Sequence, residues 1–411
     1  MKKVFKTSLA VAMSVCMAAA MTACGGSGAS SSSAPADSGE KTEAAADTGA
    51  KIKIGGSGPL TGPAAVYGQA VKNAAEIAVE EVNAKGGLQF ELDMEDDAHD
   101  PEKAVSAYGV LKDWGMQVSL ATVTSAPGAA VSPSYAEDRI FAITPSGSST
   151  AVIYQDADNL SGAYGNVFQM CFTDPNQGTA SADYISAHAD LGSKVAIIYK
   201  NDDNYSKGIH DTFVAEAAAK GLSVVYEGTF DDSNAQDFTV QLGQAKDAGA
   251  DIVFLPIYYD PASLILTQAN QMGYKPTFFG VDGMDGILTL EGFDTSLAEG
   301  VYLLTPFSAD ATDELTVNFV NAYKEKCNGE IPNQFAADAY DCVYAIAQAC
   351  EAAGVTADMS ASEICDALTA QFTSMTFSGL TGEEMKWSET GEVTKSPKAV
   401  VIQNGVYVGA E

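Results

Sequence analysis

The sequence predicts an α/β fold built as two lobes, on three observations. From Lys51 onward, short runs rich in Val, Ile and Leu alternate with helical patterns of about 10–15 residues, as in parallel sheets covered on both faces. The alternation runs once to Pro145 and begins again after Thr179. Several apolar runs end in glycine- or hydroxyl-rich loops, where open α/β sheets bind their ligands.

The first element in the chain belongs to neither lobe. Lys2, Lys3 and Lys6 precede an apolar, small-residue run from Ser8 to Ala20, followed by Met21-Thr22-Ala23-Cys24-Gly25. That order marks residues 1–23 as a signal peptide. The run is too short and Ala-rich for a spanning helix, which needs roughly 20 strongly apolar residues. The Cys after Ala23 resembles the lipobox of bacterial lipoproteins, with Met21 where Leu is commoner. Cys24 is then the lipidated residue. Residues 24–50, rich in Gly, Ser, Ala and acids, bury too little to fold and form a flexible tether. The expected location is the outer face of the cell membrane, held by the lipid.

The first lobe opens with a strand at Lys51–Gly55, a helix at Tyr67–Ala84 and a strand at Leu88–Glu95. A helix at Pro101–Trp114 starts on Pro, whose missing N–H costs nothing there. A strand at Val118–Val123, a helix at Pro127–Glu137 and a strand at Phe141–Pro145 follow. The second series has helices at Thr179–Leu191, Ser206–Lys220, Gln236–Ala248 and Pro261–Met272. Its strands are Lys194–Tyr199, Leu222–Glu227, Ile252–Pro256 and Thr277–Gly280. After Val301–Pro306 come helices at Glu314–Lys326, Phe335–Ala353 and Ser360–Thr373, then short strands and turns.

The formal charge of −32 excludes nucleic acid and anionic lipid surfaces as partners. Beyond Cys16 and Cys24, five cysteines (Cys171, Cys327, Cys342, Cys350, Cys365) have no CxxC spacing and read mainly as small buried hydrophobes. One disulfide among the last four stays open. His99, His188 and His210 lack metal-ligand spacing, and no nucleophile–base constellation or Walker loop occurs, so neither metal, cofactor nor enzyme activity is expected. Gly55-Gly56-Ser57-Gly58-Pro59-Leu60-Thr61-Gly62 imitates a dinucleotide loop, but its spacing is wrong and Pro59 and Pro63 keep a helix from starting there.

The candidate site lies at strand ends. Ser125 is placed to cap the helix after Val118–Val123, offering a hydroxyl and free N–H groups to a carboxylate. The loop after the next strand, Thr144-Pro145-Ser146-Gly147-Ser148-Ser149-Thr150, is a second hydroxyl-rich edge. In the second series, Ile257-Tyr258-Tyr259-Asp260 and Gly280-Val281-Asp282-Gly283 end neighbouring strands, and Asp282 suits an ammonium. An anion site in one lobe and an acid in the other suit an α-amino acid zwitterion.

These residues resemble the type I periplasmic solute-binding proteins of branched-chain amino acid ABC transporters, the leucine/isoleucine/valine binders. The likeness runs through Ile54-Gly55, Gly58–Gly62, Tyr67-Gly68, Asn83–Gly87, Asp96-Asp97, Asp100-Pro101 and Ser125. It continues through Ile143–Pro145, Asp174, Gln177-Gly178, Tyr205–Gly208 and Asp338–Asp341. The resemblance implies two Rossmann-like lobes joined by a three-crossover hinge near Phe172, Leu303 and Phe377, with the ligand in the interlobe cleft. Residues 51–172 with 304–377 then form lobe 1, and 173–303 with 378–411 form lobe 2. It implies carboxylate contacts from Ser125, Ser146 and Ser148, ammonium contacts from Tyr258 and Asp282, and Tyr67, Tyr205 and Phe335 around the ligand side chain. Ser146 stands where the best-known members have Ala. Their stapling cysteine pair falls on His99 and Thr124, so that disulfide is absent. The implied function is a monomeric binding lipoprotein that closes on an amino acid and delivers it to a membrane permease. The alternatives are a same-fold binder of an amide, urea, short peptide or aromatic acid, or a sensory module.

Overall fold

The computed structural model describes residues 49–410. The expected signal segment, Cys24 and nearly all of the tether lie outside the described residues. Five strands form the first sheet: β1 (Ile52–Gly58), β2 (Phe90–Asp96), β3 (Val118–Thr122), β4 (Phe141–Thr144) and, after a hairpin of β5 (Tyr154–Asp156) and β6 (Ser161–Ala163), β7 (Val167–Gln169). Their order is β2-β1-β3-β4-β7, all parallel. The second sheet holds β8 (Lys194–Lys200), β9 (Ser223–Phe230), β10 (Ile252–Leu255), β11 (Thr277–Gly280), β12 (Tyr302–Thr305), β13 (Lys398–Gln403) and β14 (Val406–Gly409). Its order is β14-β13-β12-β11-β10-β8-β9, with the β12–β13–β14 edge antiparallel.

Helices α1 (Ala65–Ala84), α2 (Pro101–Trp114) and α3 (Ser125–Asp138) cover the first sheet with α8 (Glu314–Lys326), α9 (Gln334–Ala353) and α10 (Ala361–Phe372). Helices α4 (Asp174–Ala187), α5 (Asn204–Lys220), α6 (Thr239–Asp247) and α7 (Tyr259–Gln271) cover the second. The β3, β4 and β10 strands are buried at every position, as strands covered on both faces must be. Helix α2 starts where its caps dictate: Asp100 accepts the Glu102 and Lys103 N–H groups, Pro101 follows, and Gly115 ends it at φ 93°. The glycine-rich loop after β1 is occupied by its own chain. Asp96 accepts the Leu60 and Thr61 N–H groups at 2.9 and 3.3 Å, and a Cβ at Gly68 would lie 2.2 Å from the Pro59 carbonyl oxygen.

Two sequence expectations shift. Ser125 is the first residue of α3 and not its cap; Thr124 holds the cap position and makes no side-chain capping bond. The third crossover falls later than Phe377. The Trp387 indole donates to the Gln169 carbonyl at 2.8 Å and the Gln169 N–H donates to the Gly391 carbonyl at 2.9 Å, so this stretch stays against β7. Lys395 is held by Asp338 of α9, and the chain joins the second sheet only at Lys398. Such long-range contacts leave no local pattern in sequence, which shows only short strands and turns there.

The five described cysteines are buried free thiols. Among the described residues, no helix is long and apolar enough to cross a membrane, and no group of three His, Cys, Asp or Glu could hold a metal ion.

The lobes touch along the cleft. The Tyr67 hydroxyl donates to the Gly283 carbonyl and accepts the Tyr259 N–H at 3.2 Å. The Tyr259 hydroxyl donates to the Pro63 carbonyl at 2.6 Å and accepts the Val66 N–H at 3.3 Å.

Candidate ligand site

Every polar wall of the cleft comes from the carboxyl end of a parallel strand or from a helix start. β3 leads to Val123, Thr124 and Ser125, and β4 to Ser146; β10 leads to Tyr258, and β11 to Asp282 and Gly283. Helices α1, α5 and α9 supply Tyr67, Tyr205 and Phe335 from their first turns. The lining of the cavity between the lobes includes six of the eight expected residues: Tyr67, Ser146, Tyr205, Tyr258, Asp282 and Phe335. Val123, Thr124 and Gly283 complete it. About 10 Å³ stays free, room for about one water. A larger solute enters only when the lobes part.

Asp282 is 3% exposed and has no cationic partner among the described residues. Burial pushes its pKa up to about 7, against the opposing pull of its hydrogen bonds. The Tyr205 hydroxyl donates to Oδ1 at 2.6 Å, and the Gln177 side-chain carbonyl accepts the Asp282 N–H at 3.2 Å. Around the carboxylate stand four rings. Tyr205 stacks on Tyr258 with centroids 4.8 Å apart, Tyr67 meets Tyr258 edge-on at 5.5 Å, and Phe335 lies 4.5 Å from Tyr67. Gly283 must lack a side chain, since a Cβ there would lie 2.5 Å from the Tyr205 hydroxyl and 3.1 Å from the Ile257 carbonyl oxygen. A buried carboxylate among aromatic faces has the charge and the surroundings that suit an ammonium group.

The opposite wall offers donors. Helix α3 starts without a side-chain cap, leaving the first-turn N–H groups at the site unclaimed by a capping side chain. Ser146 Oγ lies 2.6 Å from the Val123 carbonyl oxygen and bonds to it. Ser125 and Ser148 are fully buried behind this wall and do not line the cavity. Ser125 Oγ accepts the Ser149 N–H at 3.1 Å. Ser148 Oγ makes no hydrogen bond of good geometry and lies next to Asp174, whose pKa burial raises well above the usual range. The structure therefore keeps six expected residues on the cavity wall and sets these two serines one layer back.

His99 and Thr124, the positions of the missing cysteine pair, do meet. Nδ1 of His99 lies 2.9 Å from Thr124 Oγ1, a hydrogen bond in place of a covalent staple. The His99 ring also meets Tyr258 edge-on at 5.3 Å across the cleft. Sequence reasoning missed Gln177 as the residue that fixes the Asp282 turn, and Thr124 as a wall residue. The Asp174…Gln177 spacing at a helix start was the available signal.

Residues 51–405 match the model of the periplasmic binding protein family, and the chain belongs to it. Leu/Ile/Val-binding protein homolog 3 of Brucella melitensis is 30% identical over 76% of this chain and 82% of its own length. Leu/Ile/Val-binding protein BraC3 of Rhizobium johnstonii is also 30% identical, over 57% of this chain; the chain spans 62% of that relative's length. Among solved structures, the branched-chain amino acid transporter substrate binding protein LivJ from Streptococcus pneumoniae, in complex with isoleucine, superposes with a TM-score of 0.77. It is 27% identical and covers 88% of this chain and 99% of that one. A solute binding protein of an ABC transporter from R. palustris, in complex with benzoate, superposes with a TM-score of 0.76 at 19% identity, over 87% and 95% of the two chains; it shares the fold. The chain is a type I periplasmic binding protein, a non-enzymatic solute-binding component of the ABC transporter type.

Proposed function

We propose that this protein captures an α-amino acid by closing its two lobes and hands it to a membrane permease. The observation that carries the reading is Asp282: a buried, uncompensated carboxylate inside a ring of Tyr67, Tyr205, Tyr258 and Phe335. It faces an uncapped helix start and the Ser146 hydroxyl in the other lobe. The ammonium goes to Asp282 and Tyr258. The carboxylate goes to the α3 start, with Ser125, Ser146 and Ser148 as its hydroxyl partners once the lobes part and re-close. Tyr67, Tyr205 and Phe335 pack on the side chain. Likeness to Leu/Ile/Val binders supports a branched-chain or other amino acid as the solute. Lipidation of Cys24, with residues 24–50 as tether, keeps the monomeric receptor on the outer membrane face beside its permease.

An aromatic acid is the second reading, because the benzoate binder shares the fold. Asp282 disfavours it, since a ligand with only a carboxylate brings no cation to this buried acid. Titration calorimetry with the standard amino acids and with benzoate separates the two. Saturable binding of an amino acid, lost by about 10²-fold or more in Asp282→Asn, is expected from the roughly 3–5 kcal/mol carried by a buried pair when one partner is removed. Binding of benzoate with no binding of any amino acid overturns the reading.

A further inference from the structure

A second cavity, of about 400 Å³, lies between the lobes behind the turn that carries Asp282. Its volume falls within the range of roughly 300–1,000 Å³ usual for small-molecule sites. Its apolar walls are Leu288, Leu303, Phe307, Ile331 and Val406. Two of them, Ile331 at 50% and Val406 at 46%, are among the few large apolar side chains left exposed. One lobe contributes Asp285, Leu288 and Tyr407, the other Lys324, Ile331 and Asn333.

The polar feature of this cavity is Asp285, 4% exposed. Its Oδ2 accepts the Gln334 N–H at 2.8 Å, while Oδ1 has no hydrogen bond of good geometry. The Tyr407 hydroxyl accepts the Gly286 N–H at 3.2 Å and keeps its own O–H to turn toward the Asp285 carboxyl group, a neutral donor and not a counter-charge. Asp285 forms no ion pair among the described residues. Asp310 and Lys324, on the same lining, are exposed and of opposite sign, so they leave Asp285 as the charge of the interior. A buried carboxylate with a spare oxygen is costly unless a cation meets it. A chain of net charge −32 concentrates cations and not anions around it.

We propose that this cavity is a second ligand site, for a small apolar primary amine whose ammonium faces Asp285 and whose body lies against Leu303, Phe307 and Ile331. The 3₁₀ turn Asp282–Met284 separates it from the amino-acid cleft, with Asp282 on one side and Asp285 on the other. Gln334 spans the partition, its backbone bonded to Asp285 and its side-chain amide to the Asp282 carbonyl at 3.3 Å.

Titration calorimetry of the full chain with hexylamine at neutral pH tests this, with hexan-1-ol as the uncharged control. One saturable hexylamine site is expected, at least tenfold stronger than any for hexan-1-ol. Asp285→Asn, which keeps an acceptor for the Gln334 N–H, is expected to weaken it at least tenfold, and Asp282→Asn to leave it unchanged. Ile331→Trp narrows the mouth from an exposed position and is expected to weaken it as well, which keeps the test alive if Asp285→Asn does not fold. No saturable hexylamine binding, equal binding of hexan-1-ol, or binding lost in Asp282→Asn and kept in Asp285→Asn overturns the proposal.

Discussion

Two buried carboxylates, one on α9 and one in the cleft, have been treated differently by the fold. Asp338 in α9 sits against the Lys395 ammonium at 2.6 Å, with both side chains at most 2% exposed. Burial raises its pKa to about 6 even so, with Lys395 pulling it back. Asp282 in the cleft is equally hidden and its pKa rises further, to about 7, with hydroxyl and amide partners but no cation. The hinge acid carries its counter-charge within the chain. The cleft acid has no such partner, and on the proposed function a solute's ammonium takes that place. Burial alone therefore does not distinguish the two acids; the counter-charge does.

The largest effect expected from this contrast is at the hinge. Lys395→Met should lower unfolding stability by about 3–5 kcal/mol, because it leaves Asp338 buried and alone; denaturant titration reads it. A loss under about 1 kcal/mol would show the pair to be incidental. Asp282→Asn should do the reverse in the solute-free protein. It removes an uncompensated charge and keeps an acceptor for Tyr205, so stability near pH 8 should rise by about 1–3 kcal/mol, the usual penalty of an unsatisfied buried group. A fall there would mean that Asp282 already has a partner.

The pH dependence follows from the same acids. Asp282 near 7, with Asp97 and Asp338 near 6, binds protons more readily folded than unfolded, where carboxyls titrate near 3.8. Between about pH 4 and 7 the folded state thus holds more protons, and stability falls as pH rises through that window. Solute-free protein should melt at higher temperature at about pH 5.5 than at about pH 8, and Asp282→Asn should flatten the difference. His99, whose pKa burial lowers, works the other way below its ordinary 6.5. The smallest effect is expected at Tyr259→Phe. It removes the bond to the Pro63 carbonyl, worth about 1 kcal/mol, and should raise the radius of gyration of the solute-free protein in X-ray scattering.

Much of this site was legible because strand ends are local. The runs closing at Thr124, Thr144, Ile257 and Gly280 are bounded by their own glycines, prolines and hydroxyls, and the cleft is made where they close. What stayed hidden depends on distant partners. The depth of Ser125 and Ser148 follows from bonds and contacts with Ser149 and Asp174 in neighbouring segments. The position of the third crossover follows from Trp387 finding Gln169, 218 residues away. Asp285 differs from Asp282 only in which side of one turn it occupies, which no periodicity encodes.

The bonds of Val66, Tyr67 and Tyr259 across the cleft form with the cavity reduced to about 10 Å³. Contacts shared by the empty and the filled shut forms cancel from the equilibrium between them, but they persist in the barriers on either side. They slow entry, since a solute arrives only in the moments when they are broken, and wherever they re-form over a bound solute they slow its departure as well. Tyrosine hydroxyls bonded from lobe to lobe thus work as a timer. On the proposed function they set how long each capture lasts, while the choice of solute falls to the residues beneath them.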